Sequence, residues 1–154
     1  MKGGKPKMQI AIALVIQDHF GPTGNFERRD WMIKRIPEHT SGSWGLPGFE
    51  IKPEITRKDI PMLLKKAIDE EKTGIFLVDR PKFIKTLHHD GDTVYVYLVN
   101  FVGQQPQRNM ANREEAVIFS DLDSYGLTDL AKIIIEMAPK PKYQQVDLVR
   151  TRAF

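Results

Sequence analysis

Apolar and β-branched residues fill both pleat positions of Ile10-Ala-Ile-Ala-Leu-Val-Ile16, so this stretch reads as a central strand covered on both faces. His19 to Asp30 holds Gly21-Pro22, Gly24 and Asn25 and reads as a loop, followed by a second strand over Trp31 to Ile36. Another loop over Pro37 to Ser43 leads into Trp44-Gly-Leu-Pro-Gly48. From Asp59 the period lengthens: Ile60, Leu63, Leu64, Ala67 and Ile68 recur at helical spacing and form one apolar stripe. Asp59 with Pro61 suits a helix start and Gly74 its stop, which predicts a helix over Asp59 to Thr73.

Two further strands are expected at Phe83 to Leu87 and Thr93 to Val102, joined through Asp90-Gly91, residues that tolerate positive φ in a tight hairpin. Val94-Tyr-Val-Tyr-Leu-Val99 is apolar on both faces and belongs near the sheet centre. Gly103 to Asn112 is a polar loop, Ala116 to Phe119 a short strand, and Leu127 to Met137 an amphipathic helix with Leu127, Leu130, Ala131 and Ile134 inward. Residues 1–7 read as a Lys- and Gly-rich lead-in, 8–138 as one domain, and 139–154 as a mixed, basic tail. Mixed strands with one helix mid-chain and one late give an α/β fold, an α-β-α sandwich around a mixed sheet.

Composition narrows the setting more than the function. The chain has 154 residues, 41 % apolar and 28 % charged, which suits a folded domain. It has no cysteine, so disulfides and thiolate metal sites are excluded. The longest apolar run is far shorter than the ~18 residues of a membrane helix, and no small-residue cleavage site follows it. A cytoplasmic protein without a membrane partner is the expectation. A net charge of +3 and a pI near 9.1 suit phosphate-bearing ligands without selecting one.

Chemistry concentrates between Trp44 and Ile75. Trp44-Gly-Leu-Pro-Gly48, then Lys66-Ala-Ile-Asp-Glu-Glu71 and Gly74-Ile75, resemble the Nudix box and its lead-in. That box runs Gly, five residues, Glu, seven residues, Arg-Glu, an aliphatic, any residue, Glu-Glu, any residue, Gly and an aliphatic. Downstream, Glu114-Glu-Ala-Val-Ile-Phe-Ser120 with Asp121-Leu122-Asp123 is similar to a segment common late in these domains. The resemblance spans roughly residues 8 to 138 and implies a Nudix-type α-β-α sandwich.

It also implies a chemistry. In this family a pyrophosphate is neutralised by Mg²⁺ or Mn²⁺ so that water can attack phosphorus. Glutamates three and four apart on a helix share one side and gather the ligands. Carried over, Glu70 and Glu71 are the metal and catalytic carboxylates, Gly48 offers its carbonyl, Lys66 contacts substrate, and Glu115, or Glu50, completes the site. The departures are equally definite. Ala67 stands for the first Glu, Lys66 for Arg, Phe49 for the second Gly and, by ungapped counting, Ile55 for the loop Glu, with Glu54 one residue early.

Plainer readings accompany each candidate. Paired glutamates on a helix commonly make a solvated face. Glu71 extends the apolar stripe, where a carboxylate needs a partner, metal or basic. His88 and His89 sit on opposite faces of a strand and cannot chelate one ion together. Tyr95, Tyr97 and Phe101 share a strand face suited to core packing beneath a helix, and Lys140, Lys142, Arg150 and Arg152 to a solubilising tail. Two functions stand. One is a metal-dependent pyrophosphohydrolase acting on a nucleoside diphosphate derivative. The other is a catalytically impaired Nudix-fold module that binds a nucleotide, RNA or a protein partner.

Overall fold

The apolar run at the start of the chain forms the middle of a longer strand, β1 (Gln9–Phe20), in a computed structural model that describes residues 7–36, 44–71, 75–103, 116–119 and 126–141. The remaining strands are β2 (Phe26–Arg35), β3 (Trp44–Gly45), β4 (Gly48–Glu50), β5 (Ile75–Leu77), β6 (Lys82–His89), β7 (Asp92–Gly103) and β8 (Ala116–Phe119). The helices are α1 (Ile60–Asp69), entered through a 3₁₀ turn at Arg57–Asp59, and α2 (Asp129–Ile135). All strands join one mixed sheet ordered β3-β2-β1-β7-β5, with β4 also on β1, β6 on β7 and β8 on β2. β1 runs parallel to β7, Ile10 opposite Val94 and Ile16 opposite Asn100, and both strands are central as their two-faced apolarity requires.

Alternation along β1 builds two cores. Ala11, Ala13 and Val15 face α1 with Met32, Tyr97, Val99 and Phe101, and Ile60, Leu64 and Ile68 of the helix descend onto them. Ile12 and Leu14 face the other way, with Ile33, Val94 and Val96, beneath Leu127, Ala131 and Ile134. The small side chains at positions 11 and 13 let α1 lie close to the sheet. Tyr97 and Phe101 are core residues, and Arg57 lies over the Tyr95 ring at 4.4 Å and the Phe83 ring at 5.4 Å. Thr128 caps α2, its Oγ1 accepting from the Ala131 N–H at 3.2 Å.

Several expectations need correction. His19 to Asp30 is no loop: β1 and β2 form a hairpin whose turn is confined to Gly21–Asn25, with Gly24 at φ 87°. Polar pairs hold its outer half. Arg29 grips Asp18 through both carboxylate oxygens and donates to the Pro139 carbonyl at 2.7 Å. The fully buried Asp30 accepts from His19 at 2.8 Å and Arg28 at 3.3 Å. Helix α1 ends at Asp69 and not at Thr73, so Glu70 is its C-terminal cap and Glu71 lies in the following turn. The late helix is shorter than Leu127 to Met137, and Leu127 itself bridges to Trp44. Asp90 and Gly91, at φ 52° and 86°, make the expected hairpin turn between β6 and β7.

Gly48 is fixed by a close approach. It pairs with Ile12, and a Cβ built on it would meet the Ala11 carbonyl oxygen at 2.2 Å and Ile12 Cα at 3.1 Å. These are backbone atoms of the central strand, which cannot swing aside. Gly48→Ala is therefore expected to lose about 1–3 kcal/mol of unfolding free energy, as overpacked sites do. Urea titration of the two proteins measures it; a change within ~0.5 kcal/mol would show that β4 slides without cost.

Candidate functional site

The expected site residues stand on three elements, and each is placed for a local reason. The Leu46-Pro47-Gly48 turn brings the chain from β3 into β4, where the Ala13 N–H donates to the Pro47 carbonyl at 2.9 Å and the Ile51 N–H to the Gln9 carbonyl at 2.7 Å. In an antiparallel ladder these bonded pairs alternate with unbonded ones, and Gly48 opposite Ile12 is unbonded. The Gly48 N–H and C=O accordingly point away from β1.

The two glutamates part company at the end of α1. Glu71 turns toward the sheet, where its Oε2 lies 2.7 Å from Lys34 Nζ; the carboxylate side chain is 15 % exposed and the lysine 41 %. Lys34 shares the α1-facing side of β2 with Met32 and stands opposite Gly45 of β3. The partner that the apolar stripe demanded for Glu71 is thus basic. Glu70 faces outward and lines a shallow groove of about 340 Å³ with Met62, Lys65, Lys66 and Asp69. Lys65 and Asp69 close an ion pair there at 2.9 Å, one helical turn apart. Lys66 therefore opens on the side of Glu70, away from the Glu71 pair. Ala67 is half-buried one turn before both glutamates.

Residues that depart from the family pattern have structural work. Phe49 and Ile55 both pack against the core beneath α1, so the positions matched to a box Gly and a box Glu are filled by apolar side chains. Glu54 is exposed, and Glu50 meets Lys52 at 3.4 Å on the surface, in a pair that contributes little. His88 and His89 diverge, toward Thr93 and Asp90 respectively. Glu114 and Glu115 lie outside the described residues, as do Lys72 to Gly74, Asp121 to Asp123, and Lys142, Arg150 and Arg152 of the tail.

A Mg²⁺ or Mn²⁺ site asks for several oxygen donors converging on one point. Among the described residues no three His, Cys, Asp or Glu side chains come together. Among the described carboxylates of the expected set the most enclosed, Glu71, already holds an ammonium group. By themselves the described donors do not fit a divalent cation. Lys34 carries no mark in the sequence, because nothing in a strand's apolar period shows which lysine will meet a carboxylate far along the chain.

A mixed, twisted sheet between two helices, with an edge strand entered through Trp-x-Leu-Pro-Gly, defines a class of α+β sandwich. Solved structures assign the class. The chain superposes on a mutT/nudix family protein from Listeria innocua with a TM-score of 0.55 over 87 % of this chain and 93 % of that one, at 12 % identity. For a NUDIX hydrolase from Nitrosomonas europaea the TM-score is 0.53 over 92 % and 95 %, at 16 % identity. The C-terminal domain of mouse MUTYH, solved in complex with human PCNA, gives 0.57 over 86 % and 87 %, at 14 % identity. No family model and no curated protein sequence matches the chain. The chain has the Nudix fold.

No helix among the described residues is long and apolar enough to cross a membrane.

Proposed function

We propose that this chain is a Nudix-fold recognition module for a nucleotide-type ligand, with hydrolysis reduced to background. One observation supports the reading: Phe49 and Ile55, at the positions of a box glycine and a box glutamate, are half-buried apolar side chains packed against the α1 core. A ligand-facing position given over to packing cannot return to chemistry without opening the core. The divergence of Glu70 from Glu71 and the loss of a carboxylate at Ala67 agree with it. The choice of a nucleotide derivative rests on the resemblance around Trp44 to Ile75 and on the mildly basic chain. A protein ligand is the nearest alternative, since one domain of this fold is known in complex with another protein. RNA has no supporting observation in the structure.

A second reading keeps the enzyme: a pyrophosphohydrolase using Mg²⁺ or Mn²⁺, with Glu70, Glu71, the Gly48 carbonyl and Glu115 as ligands and Lys66 on the substrate. It is favoured by the Gly48 backbone polar groups, which face away from β1.

The two separate on a panel of nucleoside diphosphate derivatives with Mn²⁺. The module is expected to bind at least one member by calorimetry and to release no more phosphate than a Glu70→Gln/Glu71→Gln variant does. Release by the wild-type chain that this double variant abolishes would establish the enzyme instead.

A further inference from the structure

The Lys34–Glu71 pair is unusual in its economy. Glu71 follows the last turn of α1 and is more enclosed than Glu50 or Glu70, so leaving it uncompensated would be costly. A Nudix fold with a working metal site supplies the compensation as a dication; here the next strand supplies it as a side chain. The backbone of Lys34 is held by β2, next to buried Ile33 and paired with Gly45 of β3, which sets the side chain on the α1-facing side of the sheet. An ammonium 2.7 Å from one carboxylate oxygen both occupies a donor and places a positive charge where a second cation would have to approach.

We propose that the Lys34 ammonium takes the place of a divalent cation at Glu71, so that this chain carries its own fixed cation and binds no Mg²⁺ or Mn²⁺ through that carboxylate. The proposal goes beyond the function argued above, because it concerns the apo protein and holds whichever ligand the module recognises. Lys34 acts as a positioning and neutralising residue. Its removal frees the Glu71 carboxylate to attract a cation.

Mn²⁺ titration followed by the electron paramagnetic resonance of the free ion tests this without any substrate. Wild type and Glu71→Gln are expected to bind Mn²⁺ equally, within twofold. Lys34→Gln releases Glu71 and is expected to raise Mn²⁺ affinity at least tenfold, a gain that Lys34→Gln/Glu71→Gln loses. Lys34→Arg keeps the charge and should stay at the wild-type level. Wild-type Mn²⁺ affinity that falls tenfold in Glu71→Gln would overturn the proposal, and so would a folded Lys34→Gln with unchanged affinity. If Lys34→Gln fails to fold, the comparison of wild type with Glu71→Gln still decides.

Discussion

Phe101→Ala is expected to destabilise this protein by about 3–5 kcal/mol, the range for removing a large aromatic side chain from a packed core. Phe101 is 1 % exposed and lies on the α1-facing side of β7, with Leu77 of β5 as its direct cross-strand partner. It shares the α1-facing core with Val99, with Ile75 and Leu77 of β5 packed against it. Its removal leaves a cavity bounded by β-strands on one side and a helix on the other, two surfaces that collapse poorly. Since domains of this size have only ~5–15 kcal/mol in total, a third or more of the stability goes with one side chain. Phe76→Ala is the control: the neighbouring phenylalanine of β5 is 71 % exposed, and its loss should stay within ~0.5 kcal/mol. Guanidinium unfolding of both variants reads the contrast. Equal losses would mean that β5 is anchored by its outer face and that the core assignment at this end is wrong.

Combining Ala67→Glu with Lys34→Gln is expected to produce the largest change in behaviour. Ala67 lies on α1 one turn before Glu70 and Glu71. A glutamate there, with the internal ammonium gone, gathers carboxylates without compensation. Each close like-charge pair costs about 1–4 kcal/mol at effective dielectrics of 80 to 20, so the metal-free variant should melt well below wild type. Mn²⁺ at a hundred times its dissociation constant restores about 2.7 kcal/mol. A melting temperature that rises with Mn²⁺ in the variant and not in wild type is the expected record. Turnover should remain at background all the same, because Phe49 and Ile55 still put apolar side chains against the α1 core at two box positions. Substantial nucleotide hydrolysis by the double variant would show that charge alone had silenced an otherwise complete site.

How far the sequence could be read follows from where each element takes its stability. β1, β7 and both helices bury wide apolar faces, and their places are legible from period alone; of the α1 stripe, Ile60, Leu64 and Ile68 meet the sheet while Leu63 and Ala67 are half-buried at its margin. The β1–β2 hairpin is not legible in this way. Its outer half is held by Arg29 with Asp18 and by Asp30 with His19 and Arg28, pairs that a hydrophobic pattern cannot see. Strands β3, β4 and β5 have two or three residues each, too few to show a period. The end of α1 was placed too late because Glu and Lys after Asp69 are good helix formers, and their sequence alone gives no reason to stop. At the site, the stripe that ends on Glu71 announced a buried carboxylate in need of a partner. Its identity depended on strand register, which brings Lys34 within reach.

The parallel pairing of β1 with β7 also sets a timetable. Met8 donates its N–H to Asp92 at 3.1 Å across a separation of 84 positions, and the same offset runs the length of the two strands. During vectorial synthesis β1 must wait for its central neighbour, on the order of 4–17 s at about 5–20 residues per second. For that interval its apolar run has an open edge and at least one bare face, the features that invite pairing with another nascent chain. On the opposite edge the hairpin with β2 shelters only Ile16 to Phe20 and β4 pairs with Ile10 to Ile12, while the hairpin's charged outer half can close without any core. Refolding from denaturant faces the same delay as a loop-closure cost, which places this chain among the slow, non-local folders.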